Sequence, residues 1–316
     1  MAVLVADVGG THTRLARVEG GVMGTPWVAP SARVVDMATT LRAFVADAGP
    51  VAAACLAVAG PVFGQQVRLT NLGWSLDGAD LAAALGVPVR LINDFHAQAL
   101  AMPHLGPGDV EALDALTPAL DRPIAVLGAG TGLGEAFVVP HRGQWIAVPG
   151  EGAHTRFAPR DAREIALLGF LMQRHPGHVS VERVVSGPGL VSVYDFLRGE
   201  APPLAAMATE DPAAVITREA LAGGDARCVE AVEIFVGVLG DEAASLALKV
   251  NAGVVYLTGG IPPRIAPLIR SGIRRAFETK GRYAAWAKTV PIRLVQHPDP
   301  GLLGARVMAE SLGQAG

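Results

Sequence analysis

Cysteine is almost absent from this chain. Cys55 and Cys228 are the only two, and both sit in apolar runs, so a disulfide framework is excluded and core thiols in a reducing compartment are expected. Lysine is nearly as scarce, confined to Lys249, Lys280 and Lys288, and arginine carries the rest of the positive charge. The formal net charge of −3 offers no basic stripe for a phosphate backbone, so nucleic acid is not an expected partner. Charge runs and low-complexity segments are missing too. Asp7 interrupts the apolar run 3–6 before a secretory h-region can form, and no signal peptide is expected. One uncharged run, residues 48–67, approaches bilayer length. It contains Gly49, Pro50, Gly60, Pro61 and Gly64, which break a helix, so it reads as a buried strand and a turn. These absences imply a cytoplasmic protein with no membrane partner.

What the chain does have is apolar mass and glycine. A length of 316 residues suggests about two domains, and a hydrophobic share of 51% is typical of a well-packed core. Three glycine-rich turns each follow an apolar run: Asp7-Val8-Gly9-Gly10-Thr11, Gly128-Ala129-Gly130-Thr131-Gly132 and Thr258-Gly259-Gly260. Glycine lets the backbone take positive φ and lets its N–H groups approach an anion closely. The threonine in each turn adds a hydroxyl donor, and Asp7 at its strand end can hold a metal ion beside such an anion. Alone, the first turn is equally a hairpin bend or a seat for a metal-bound polyphosphate. Three such turns in one chain are hard to attribute to bending. The familiar nucleotide patterns are not met, because residue 133 is not glycine and no Gly-Lys pair occurs; the dinucleotide fingerprint and the P-loop are both excluded.

Hydrophobic periodicity predicts helices over 39–48, 76–85, 96–102, 163–174, 229–249, 266–277 and 302–312, with Gly86 closing the second. Strands are predicted at 3–6, 14–18, 53–58, 67–70, 89–92, 124–127, 136–139, 254–257 and 292–295, and the segment 181–185 leads into a loop at 186–189. Strands alternating with helices argue for an α/β fold with mostly parallel sheets. Residues 105–123 are the expected linker. The strand, glycine turn and strand of residues 3–18 recur at 124–139 without a literal repeat.

Two polar pairs stand out. Asn93-Asp94 closes the strand 89–92 and either caps the following helix or supplies a general base. The second reading fits the carboxyl end of a strand in an open α/β sheet, where ligands bind, and an aspartate that accepts a hydroxyl proton recurs in phosphoryl transfer. Glu151-x-x-His154 has the spacing of a metal-ligand pair, yet it lacks cysteine companions, and His175 and His178 join it only if the fold brings them near. A carboxylate and an imidazole on a glycine-bounded turn equally suit a polyol. Glu182 by itself reads as a surface charge, and His12 as a solvated neighbour of the first turn.

Taken together, these stretches resemble the bacterial glucokinase family, in its zinc-free branch, of the hexokinase–actin–sugar-kinase superfamily. The likeness spans almost the whole chain: the first glycine turn, Leu91-Ile92-Asn93-Asp94-Phe95, Gly128 to Gly134, Pro149-Gly150-Glu151-Gly152, Glu182 to Gly189, Gly259-Gly260-Ile261 and Pro300-Gly301-Leu302-Leu303-Gly304. The resemblance implies two α/β domains of related actin/hexokinase-like (ribonuclease H-like) topology with an interdomain active-site cleft. The smaller would be residues 1–106, with the last helix, 302–316, packing back on it, and the larger 107–301. It implies a homodimeric enzyme that phosphorylates D-glucose to glucose 6-phosphate with ATP and Mg²⁺, without zinc. Asp94 would be the base on the 6-hydroxyl, and Asn93, Glu151, His154 and Glu182 would bind the other hydroxyls. Asp7 would act near Mg²⁺, directly or through water; Gly9, Gly10, Thr11, Gly130 and Thr131 would hold the ATP phosphates, and Gly259 and Gly260 would lie against the adenosine. The chain departs from the family at Thr11-His12-Thr13-Arg14, where many relatives have Asn-Ala, and it lacks the cysteine-rich zinc motif of the related repressor–kinase branch. No DNA-binding helix-turn-helix is expected before Val3.

Overall fold

The computed structural model describes residues 1–69 and 72–314. The chain divides into two compact units, one formed by Met1–Leu105, Trp145–Pro149 and the segment from His297 on, the other by Gly106–Gln144 and Gly150–Gln296.

The first unit is built on β1 (Ala2–Val8), an apolar strand buried along nearly its whole length, as a strand covered on both faces must be. It forms an antiparallel hairpin with β2 (His12–Glu19), which also pairs with β3 (Val22–Met23) and β4 (Trp27–Pro30). On its other side β1 runs parallel to β5 (Ala54–Val58). A separate hairpin joins β6 (Gln66–Leu69) to β7 (Trp74–Asp77), and β8 (Val89–Asn93) runs parallel to β5. The expected strand 67–70 thus holds through Leu69, and Thr70 lies outside the described residues.

Helix α1 (Met37–Ala48) starts at Asp36, whose side chain accepts from the Thr39 N–H at 2.7 Å. Helix α2 (Gly78–Leu85) ends at Gly86 in the left-handed region. Helix α3 (Asp94–Ala101) and the C-terminal helix Pro300–Gln314 pack together over β1 and β5. Their crossing is close: a Cβ on Gly304 would collide with the Ala97 carbonyl. Leu4, Val8, Leu15, Leu41, Leu56 and Leu91 fill this unit's core.

The second unit contains β9 (Val110–Ala112), β10 (Ile124–Ala129), β11 (Leu133–His141), β13 (Val254–Thr258) and β14 (Ile292–Val295), in the order β11-β10-β13-β14-β9, while β12 (Gln144–Gly150) falls mostly in the first unit's segment Trp145–Pro149. Here too an antiparallel hairpin, β10–β11, is followed by parallel neighbours, β13 and β14. The run β11-β10-β13-β14 repeats the topology of β2-β1-β5-β8, so both units are α/β and share one pattern. Helices α4 (Ala162–Arg174), α5 (Gly187–Arg198), α6 (Pro212–Ala222), α7 (Ala226–Val250), α8 (Ala266–Glu278) and α9 (Ala284–Ala287) complete the unit. Helix α7, 25 residues long, runs through the core, where Phe235 and Leu239 meet Leu127, Leu257 and Phe277.

The stretch expected as a linker is part of this unit instead. Val110–Ala112 pairs antiparallel with β14, and the Asp114 carboxylate accepts from the Ile292 N–H at 2.8 Å. A three-residue edge strand whose partner lies far along the chain leaves no periodic signal. The loop expected at 186–189 is likewise the start of α5, with Ser186 as its N-cap. Among the described residues no helix is long and apolar enough to cross a membrane.

Candidate active site

In the first unit, the β1–β2 turn is tied down by groups that its sequence does not advertise. The Gly9 N–H donates to the His12 carbonyl at 3.0 Å, and the Ser31 hydroxyl donates to the Gly9 carbonyl at 2.7 Å. Ser31 also meets the buried Thr13 hydroxyl at 3.0 Å. These bonds leave Gly10, Thr11 and His12 exposed at the tip, where backbone amides and the Thr11 hydroxyl can meet an anion.

Asp7 sits just before that turn and directly across the hairpin from Arg14. The Arg14 guanidinium lies 3.3 Å from the Asp7 carboxylate and 3.4 Å from that of Asp299, so it bridges two acids. Asp299 precedes the C-terminal helix, and a Cβ on Gly301 in that helix would stand 3.7 Å from the Asp7 carboxyl carbon. Burial pushes Asp7 up to about 6; Arg14 opposes this, and the charges of Asp94 and Asp299 add to it. Asp7 and Asp94 are therefore electrostatic neighbours. Strand register explains why: Val8 lies beside Val58 and Val58 beside Asn93, so the ends of β1, β5 and β8 line up.

Of the pair that the sequence offered as a cap or a base, Asn93 is the residue that caps. Asn93 is the N-cap of α3, its Oδ1 accepting from the Phe95 and His96 N–H groups at 2.9 and 3.1 Å. Its Nδ2 donates to the Gly60 carbonyl at 3.2 Å. Asp94 is the first helical residue, and its Oδ1 accepts from the Phe95 N–H at 2.8 Å. Asp94 thus lies at the positive end of a helix dipole.

In the second unit, the two remaining glycine turns meet on adjacent strands, with Gly128 beside Thr258. Gly259 takes a φ of 88°, and a Cβ there would come within 2.7 Å of the Ala129 nitrogen, so only glycine fits this approach. The Ala129 carbonyl accepts from the Ile261 N–H at 3.0 Å, and the Gly130 carbonyl from the Gly187 N–H at 2.8 Å, which joins the turn to the start of α5. Thr131 and Gly260 remain exposed.

Glu182 is less free than a surface charge. Its carboxylate accepts from the Leu133 N–H at 3.0 Å, and a Cβ on Gly132 would lie 2.7 Å from Oε2, so it is a strut under the turn 130–133. Glu151 and His154 are exposed on the turn that follows β12, with His154 Nε2 3.7 Å from Glu151 Oε2. Of the two other histidines, His178 reaches this turn, its Nε2 lying 2.7 Å from the His154 carbonyl oxygen. His175 is the C-cap of α4.

Among the described residues no three His, Cys, Asp or Glu side chains converge into a metal cage. Mg²⁺ that arrives on a nucleotide needs none, because it keeps most of its waters and takes one or two carboxylates together with phosphate oxygens. Asp7, whose negative charge is under-compensated by Arg14, fits that demand.

The family model described as Glucokinase matches residues 4–312. A curated glucokinase of Chromobacterium violaceum is 40% identical over 308 residues, covering 95% of this chain and 87% of that protein. One of Yersinia enterocolitica is 38% identical over 311 residues, with 96% and 94% covered. Among solved structures, a glucokinase from an Antarctic psychrotroph superposes with a TM-score of 0.85 at 31% identity, over 98% of this chain and 99% of that one.

Proposed function

The chain belongs to the glucokinase family, and from that premise we propose that it transfers the γ-phosphoryl group of ATP to the 6-hydroxyl of D-glucose. The observation that carries the reading is the row of strand ends in the first unit, which makes Asp94 and Asp7 neighbours. In this reading one acid would receive a proton and the other would stand beside metal-bound phosphate. In the proposed step the Asp94 carboxylate takes the proton of the 6-hydroxyl, the oxygen forms its bond to the γ-phosphorus, and the bond from that phosphorus to the β–γ bridging oxygen breaks, releasing ADP. Mg²⁺ would neutralise charge on the phosphates, with Asp7 holding it directly or through water.

The remaining assignments extend this reading. Gly9, Gly10 and Thr11, with Gly130 and Thr131, would hold the phosphates; Gly10, Thr11 and Thr131 are exposed, while the Gly9 and Gly130 N–H groups already donate to the His12 and Gly132 carbonyls, and Gly259 and Gly260 would lie against the adenosine. Glu151, His154 and Glu182 would accept and donate hydrogen bonds at the other hydroxyls, and a missing or inverted hydroxyl would leave one of them unpaired. Asn93 would contribute through its amide, most of whose capacity already goes to capping α3 and to Gly60.

The test is ADP release by the purified protein with MgATP and glucose, mannose, fructose, glucosamine or N-acetylmannosamine. Strong preference for glucose is expected. Preference for another sugar would overturn the substrate and keep the mechanism, and no release with any of them would overturn the reading of ATP as donor.

A further inference from the structure

Glu135 is a charged residue with no visible reason to be where it is. It lies on β11 and is 2% exposed, and both of its carboxyl oxygens lack a hydrogen-bond partner. Its charged neighbour is Glu242 of α7, 9% exposed, whose Oε1 also has no hydrogen-bond partner and lies 3.6 Å from Lys249 Nζ. Burial pushes Glu135 up to about 7, the charge of Glu242 adds to this, and Lys249 works against it. Glu242 is raised as well, by burial first, with Lys249 and Lys280 opposing and Asp241 adding. Lys280 is itself held by Asp241 at 2.5 Å, so Lys249 is the cation that faces the two glutamates. A buried carboxyl with no donor to either oxygen, near a second carboxylate, favours its neutral form.

The site matters because of what rests on it. A Cβ on Gly152 would run into Glu135 Oε2 and stand 3.0 Å from its Cδ, and one on Gly150 would lie 3.5 Å from the Glu135 carbonyl oxygen. The turn that carries Glu151 and His154 is therefore seated on the Glu135 side chain, and Gly152 is glycine because nothing larger fits there.

We propose that Glu135 is held as the neutral acid, and that this protonated carboxyl is the positioning element that holds residues 150–154 in their sugar-binding geometry. The sugar role rests on the glucokinase reading of Glu151 and His154; the protonated Glu135 and its hold on the turn do not. Losing the proton places a second negative charge against the Gly152 backbone with no donor to receive it, so the turn must shift. Glu135 touches neither sugar nor nucleotide in this scheme. Its ionisation is expected to act on the glucose KM and to leave kcat nearly unchanged.

The test uses the full chain and Glu135→Gln, which keeps the shape of the protonated acid but cannot ionise. Between about pH 6 and about pH 8.5 the wild-type glucose KM should rise, approaching about tenfold per pH unit once Glu135 is ionised, while the variant's KM stays flat. Superimposable KM profiles would overturn the proposal. A second readout needs no turnover: hydrogen exchange of a peptide spanning 150–154, compared between the two proteins at the same pH. Faster exchange in wild type at about pH 8.5, and equal exchange at about pH 6, is expected. Equal exchange at both would overturn the proposal even if neither protein phosphorylated glucose, a result that by itself would count against the glucokinase reading alone. Glu242→Gln removes the like charge and should move the wild-type transition to lower pH; an unmoved transition would overturn the assignment of that transition to Glu135.

Discussion

At the scale of single residues, the two acids of the first unit should separate cleanly in their effects. Asp94→Asn keeps the size and the acceptor for the Phe95 N–H but cannot take a proton. Turnover is expected to fall by about 10²–10⁴, while glucose binding measured by calorimetry stays close to wild type. Persisting turnover would remove Asp94 from the role of base. Asp7 should behave differently, because its charge works against folding. Burial has raised it from an ordinary 3.8 to about 6, on the order of 3 kcal/mol of opposition to the ionised form. The sign follows from linkage: the penalty is absent well below about pH 4, where the unfolded aspartate is also protonated, and complete once pH has passed about 6. Asp7→Asn should therefore melt above wild type at about pH 7.5 and together with it at about pH 3.5, as read from thermal scans. Its KM for MgATP should rise at the same time. A variant that is less stable than wild type at about pH 7.5 would show that the Arg14 pair outweighs burial.

At the scale of elements, Asp94 depends on a helix crossing. Gly304 lets the C-terminal helix approach α3 so closely that any side chain would strike the Ala97 carbonyl. Gly304→Ala should force the helices apart at a cost of about 1–3 kcal/mol, and because Asp94 opens α3 it should also lower kcat. A lower melting temperature with an unchanged kcat would mean that Asp94 is held from β8 rather than by the helix. This crossing also shows how far the sequence could be read. The strands β1, β5, β8, β10 and β13 announce themselves as short apolar runs, α7 as a long periodic tract, and the repeated hairpin as two glycine turns after apolar strands. Three-residue β9 carried no such signal, and α5 was hidden because Gly187-Pro188-Gly189 reads as a loop although Pro is well suited to a first helical turn. The candidate site divides the same way. Turn and strand-end residues such as Gly9, Asn93 and Asp94 are punctuation and were visible. Their partners were not, because Ser31, Asp299 and the Glu135–Glu242 pair join positions that the fold alone brings together. Arg14 is intermediate, since counting outward from the hairpin turn would have set it opposite Asp7.

At the scale of the whole molecule, each unit has a buried core of its own among the described residues, and the first unit takes in the C-terminal helix. The C-terminal helix lies on α3, β1 and β5, and its Leu302, Leu303, Ala305 and Ala309 are buried. The two leucines alone are worth roughly 3–6 kcal/mol of burial, comparable with the 5–15 kcal/mol that holds a typical domain together. Removing them also exposes the faces of β1 and α3 that they cover and takes Asp299 from its bridge to Arg14. The second unit draws none of its strands or core residues from beyond Gln296. A chain truncated after Gln296 should therefore lose its first unit's fold while the second keeps its own. In hydrogen exchange, amides of β1, β5 and β8 should lose protection by orders of magnitude, and those of β10, β13 and α7 should keep most of theirs. Calorimetry should show the remaining transition with a correspondingly smaller enthalpy, since unfolding enthalpy scales with the number of ordered residues. Uniform loss of protection through both sheets would show that the second core cannot stand without the first, and that the two units fold as a single cooperative body.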